Sequence, residues 1–143
     1  KADAHAELAV INDLGETVDI HPLRKKEVAE RIALCFDKLI YNNKVKLSPE
    51  VVSAQVSDAA IQLTLDQPIQ EGDLYTFEVC NNGNNTYQNV PAVGRGNVIT
   101  ILYPSTSQAS TLKVRYAWKD DPKQANVRSL SGLPMSSFEM TIK

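Results

Sequence analysis

At 143 residues, the chain has room for one domain with a full hydrophobic core, or for one small domain preceded by a piece of another. Its 15 basic and 17 acidic side chains leave a net charge of -2, which gives no electrostatic reason to expect nucleic acid or an anionic membrane as partner. A small or neutral ligand suits this balance better. No apolar run is long enough to cross a bilayer, and the first residues lack the basic-then-apolar pattern of a signal peptide.

Residues 7–14, ELAVINDL, form a short apolar run closed by Gly15, which predicts a buried strand ending in a turn. From Pro22 the pattern changes. Val28, Ile32, Cys35, Phe36 and Leu39 recur at helical spacing with charged residues between them, predicting an amphipathic helix of about five turns that starts at Pro22. Residues 41–44 end this period, Ser48-Pro49 punctuates the chain, and we place a domain boundary near residue 45.

Beyond it the apolar period is two. Residues 52–56, 60–65, 74–80, 98–102 and 112–118 read as half-buried strands, with turns at 81–85 and 94–97 and a further strand within 133–143. Strands at this spacing predict an antiparallel sandwich. The fold expected is therefore mixed: a strand-loop-helix unit over residues 1–44, then an all-β antiparallel sandwich over 45–143. Cys35 lies in the helical pattern and Cys80 in a strand pattern, so two buried thiols are expected rather than a disulfide framework.

His21 stands at the junction of loop and helix, two residues after Asp19. An imidazole can take a proton from a serine hydroxyl at neutral pH, and a carboxylate or backbone carbonyl on its other nitrogen fixes the tautomer. On spacing alone, a loop histidine or a helix cap is the commoner explanation. His5 has no carboxylate or cysteine placed to complete a metal set and reads as structural or solvated. Two histidines and two distant cysteines assemble no zinc-like cluster, so neither metal nor cofactor is expected. Gly94-Arg95-Gly96 lies between strands and reads as a hairpin turn, not a phosphate loop, and no Gly-x-Ser-x-Gly elbow occurs. Trp118, near Arg115 and Tyr116, and Tyr87 on the Asn-rich loop are candidate sugar-stacking residues. Core packing or loop anchoring is the alternative for each.

Two separated motifs carry a resemblance to a known family. The first runs from Leu8-Ala9-Val10-Ile11 through Gly15, Asp19-Ile20-His21-Pro22, Lys25 or Lys26, and Glu27-Val28 to Arg31-Ile32-Ala33-Leu34. The second is Val114-Arg115-Tyr116-Ala117-Trp118, Asp121-Pro122, Ala125-Asn126, Gly132-Leu133-Pro134 and Phe138. In these the chain resembles the C-terminal part of the sialate O-acetylesterases, enzymes of the SGNH-hydrolase type that remove acetyl groups from sialic acids. The resemblance implies that residues 1–44 are the end of an SGNH α/β hydrolase domain, with His21 as catalytic base, and that the sandwich is the C-terminal domain. It implies an acetylated sugar as substrate and a serine nucleophile and oxyanion hole far upstream, on the remainder of the hydrolase domain in cis or on a separate chain. Residues 1–143 alone are then expected to be inactive. A periplasmic or secreted location would suit such a family.

In SGNH hydrolases generally the acid precedes the histidine by three positions, which here is Val18. The group orienting His21 therefore stays open between Asp19 and a backbone carbonyl. After Asn126 the family has an Asn- and Tyr-containing run where this chain has Val127-Arg128-Ser129. The alternative function is a non-catalytic glycan-binding or structural β-sandwich module.

Overall fold

The computed structural model describes residues 3, 5–41, 43–57, 59–81, 86–103 and 112–142. Among them are one helix, α1 (Lys25–Leu39), and nine strands: β1 (Val51–Val56), β2 (Ala60–Leu65), β3 (Gly72–Leu74), β4 (Phe77–Asn81), β5 (Tyr87–Asn89), β6 (Ala92–Arg95), β7 (Val98–Leu102), β8 (Leu112–Tyr116) and β9 (Phe138–Ile142). The strands form two antiparallel sheets in the orders β1-β2-β7-β6-β3 and β5-β4-β8-β9. Alternation places Ile61, Leu63 and Leu65 of β2 with Ile99 and Ile101 of β7 on one inner face. Phe77 and Val79 of β4 with Val114 and Tyr116 of β8 line the other, and all nine are buried.

Strands β2 and β7 have the bounds that the period predicts. The β6–β7 hairpin turns through Gly96, whose φ of 56° suits a residue without a side chain, and Asn97. The run 74–80, expected as one strand, is two. β3 ends at Leu74 in one sheet and β4 starts at Phe77 in the other, with Thr76 at φ 65° turning the chain between them. Strand β8 likewise stops at Tyr116, because Ala117 takes φ 50° and donates its N–H to the Thr76 carbonyl at 3.1 Å. The turn expected at 81–85 lies mostly outside the described residues. Cys35 and Cys80 are both buried thiols with no disulfide between them.

The segment after β8 laces the sandwich together. Val127 N–H donates to the buried Tyr116 hydroxyl at 3.0 Å, Met135 N–H to the Val127 carbonyl at 3.0 Å, and the Asn126 side chain spans Asp73 O at 2.8 Å and Tyr75 N–H at 3.0 Å. Asn126, a residue of the second motif, thus holds the β3–β4 turn.

Residues 7–14 differ from expectation: they form no strand, closing instead in a turn where Leu14 N–H meets Ile11 O at 3.0 Å. A strand needs a ladder partner, and no strand among the described residues lies beside this run. The helix begins at Lys25, not Pro22. Lys25 N–H bonds Leu23 O at 2.9 Å, so residues 21–24 stay in a turn, and Arg24 at the N-cap makes no side-chain cap. The helix docks through Lys38, 2.7 Å from Glu7, and through Arg31.

Candidate functional site

His21 and Asp19 meet in the turn before α1. The Asp19 carboxylate oxygen Oδ1 accepts the His21 backbone N–H at 2.8 Å and lies 3.1 Å from Nδ1 of the ring. A carboxylate on Nδ1 leaves Nε2 as the nitrogen free in principle to exchange a proton with a hydroxyl. Local spacing is enough to produce this contact. Asp3 and His5 repeat it, with the His5 N–H on Asp3 Oδ1 at 2.8 Å and the ring Nδ1 at 3.5 Å. What sets His21 apart is its surroundings: Val18, Ile20 and Leu23 are 97%, 90% and 82% exposed around it. Apolar side chains so concentrated on one short loop form an exposed patch of the kind that marks an interaction surface.

Near this loop lies a partly buried ion network that sequence reading did not find. Asp13 takes both guanidinium nitrogens of Arg31, with the Oδ2 contact at 2.9 Å, and Arg128 reaches the same Oδ2 at 2.9 Å. Arg31 also donates to Val10 O at 2.7 Å, and Arg128 to Gly132 O at 2.9 Å. Burial alone would raise the Asp13 pKa, but the hydrogen bonds and charges of the two arginines outweigh it and hold the carboxyl at about 2. The network ties the N-terminal turn, the helix and the post-β8 segment together. Beside it runs a polar cleft of about 300 Å³ between residues Gly15, Glu16 and Arg24 on one side and Asp121 and Lys123 on the other.

Tyr87 and Trp118 come to one place, the outer face of the four-stranded sheet, on either side of Arg115. The guanidinium lies 3.4 Å above the Tyr87 ring and 5.4 Å from the Trp118 ring. Glu139 accepts Arg115 Nε and the Tyr87 hydroxyl, each at 2.7 Å. Both bonds depress its pKa, while burial first and then Glu139 raise that of Tyr87. One face of Tyr87 is thereby covered, whereas Trp118 stays half exposed.

No family model and no curated protein matches the sequence. Among solved structures, the chain is similar to a carbohydrate acetylesterase from Xanthomonas citri, with a TM-score of 0.81 and 25% identity over 92% of this chain. A weaker likeness, at a TM-score of 0.49 and 15% identity, covers 82% of this chain and 26% of the N-terminal part of the bacterial S-layer protein SbsC. The chain spans only 31% of the length of the Xanthomonas enzyme.

Proposed function

We propose that these residues are the C-terminal part of a carbohydrate acetylesterase. The observation that carries the reading is the likeness to the Xanthomonas enzyme over 92% of this chain and 31% of that one. Two features of the chain support it. Residues 7–14 have a strand's sequence and, among the described residues, no strand paired with them, and the turn carrying His21 presents bare apolar side chains. Both are accounted for if the remainder of an α/β hydrolase domain, supplied in cis or by a separate chain, packs there. A boundary near residue 45 rests on the change of apolar period there, and an SGNH-type domain and sialic acid as the acetylated sugar rest on the sequence resemblance.

In this reading His21, oriented by Asp19 on Nδ1, takes the proton of a serine hydroxyl that lies outside residues 1–143. The serine oxygen attacks the acetyl carbonyl, and His21 returns the proton to the departing sugar oxygen. Water then releases acetate by the same steps. The test is acetyl release from a peracetylated oligosaccharide by the complete polypeptide that the gene encodes. There, His21→Ala is expected to cut the rate about 10⁴- to 10⁶-fold with the fold retained. Activity near the parent level would overturn the assignment.

A further inference from the structure

At one end of the sandwich, away from the His21 turn in sequence, lies a cleft of about 630 Å³, well within the size of small-ligand sites. Its polar lining is Asp73, Tyr75, Thr76, Asn89, Lys119 and Gln124, and the rest of the wall is apolar. Tyr75 is 55% exposed. Its position is set by the Asn126 side chain, which accepts the Tyr75 N–H and donates to Asp73 O. The adjacent Thr76 carries two local penalties: a β-branched residue at φ 65°, and an Oγ1 that is buried with no hydrogen-bond partner. Across the ladder Ala117 is also left-handed, at φ 50°. Strain concentrated in a cleft, on the turn that presents an exposed aromatic ring, is a mark of a functional surface.

The lining chooses the ligand class. One carboxylate, one ammonium and two amides carry no net charge, which disfavours a phosphorylated or strongly acidic ligand. The amides offer donors and acceptors to hydroxyl groups, and the Tyr75 ring offers a flat face for an apolar sugar face. We propose that this cleft binds a neutral oligosaccharide, with Tyr75 stacking on a sugar ring and Asp73, Asn89, Lys119 and Gln124 meeting its hydroxyls. The site is distinct from the Tyr87–Arg115–Trp118 cluster, where Arg115 already covers Tyr87. The choice of a carbohydrate accords with the esterase reading and rests on it in part. The ligands tested carry no acetyl group, so failure of binding leaves the His21 test untouched, and the reverse holds too.

The experiment titrates the isotope-labelled 143-residue chain with cellohexaose, xylohexaose and mannohexaose and follows backbone amide shifts. Saturable shifts centred on Tyr75, Asn89, Lys119 and Gln124 are expected with at least one of them. Tyr75→Ala should weaken that binding about tenfold, the loss of roughly one stacking contact, at an unchanged thermal midpoint. Gln124→Ala, an exposed change, should weaken it too. Thr76→Gly, which relieves the backbone and removes the orphan hydroxyl, should raise the midpoint while weakening binding. No saturable shift at millimolar sugar, shifts centred elsewhere, or full binding by both alanine variants would overturn the proposal. A midpoint lowered by Thr76→Gly would overturn its strain argument.

Discussion

Tyr116 is the largest of the fully buried side chains, with its ring 4.8 Å from that of Phe77 and its hydroxyl on the Val127 N–H. Burial raises its pKa to about 12, only partly opposed by the Val127 bond. A folded pKa above the ordinary 10.0 means that the unfolded chain ionises first. The stability contribution is whole below pH 10 and is lost as pH rises toward 12. Tyr116→Phe should therefore flatten the alkaline limb of stability against pH in urea titrations. At neutral pH it should also cost about 1–3 kcal/mol, since the Val127 N–H is left buried without a partner. A variant whose alkaline limb matches that of the parent would refute the link. The burial of Tyr116 was legible in the alternation of residues 112–116, but its partner was not. Val127 lies in a segment whose sequence shows only punctuation.

The helix and the strands differ in how far a pattern could be read. Period two located β2 and β7 because each strand has neighbours here to bury its inner face. The β3–β4 break was also present in the sequence, as a slip of phase. Leu74 and Phe77 both point inward, an odd number of positions apart, so one continuous strand cannot bury both. For α1 the apolar positions were legible but what they face was not. Cys35 is buried against this chain, while Ile32, Phe36 and Ile40 form an exposed stripe at i, i+4 and i+8, with Phe36 57% exposed. If that stripe meets the rest of a hydrolase domain, Ile32→Ser combined with Phe36→Ser should change the stability of the 143-residue chain by no more than about 0.5 kcal/mol. The same pair should strongly reduce acetyl release by the complete polypeptide. Thermal unfolding of the first and an acetate assay of the second check this, and unimpaired release would leave the stripe without the proposed cover.

At the scale of the molecule, the N-terminal unit is fastened to the sandwich by few polar contacts, and Asp13 stands at their centre. It binds Arg31 of the helix and Arg128 of the post-β8 segment, while Asn12 donates to Met135 O at 3.0 Å. Pairing between residues so distant in the chain leaves no periodic trace, and Arg128 falls where the sequence departs from the family it resembles. The network was therefore invisible before the fold. Its strength can be measured through acid. The Asp13 pKa is lowered from 3.8 to about 2, so its contribution is whole above about pH 4 and disappears as pH falls through 2. That depression corresponds to about 2 kcal/mol. Asp13→Asn keeps the shape but removes the charge, leaving two arginines against an amide. It should lower stability at neutral pH by about this amount or more, and its urea midpoint should no longer fall between pH 4 and 2 by as much as the parent's. If parent and variant lost stability in parallel over that range, the acid sensitivity would belong to other carboxylates, and Asp13 would not be the fastening that joins the helix to the sandwich.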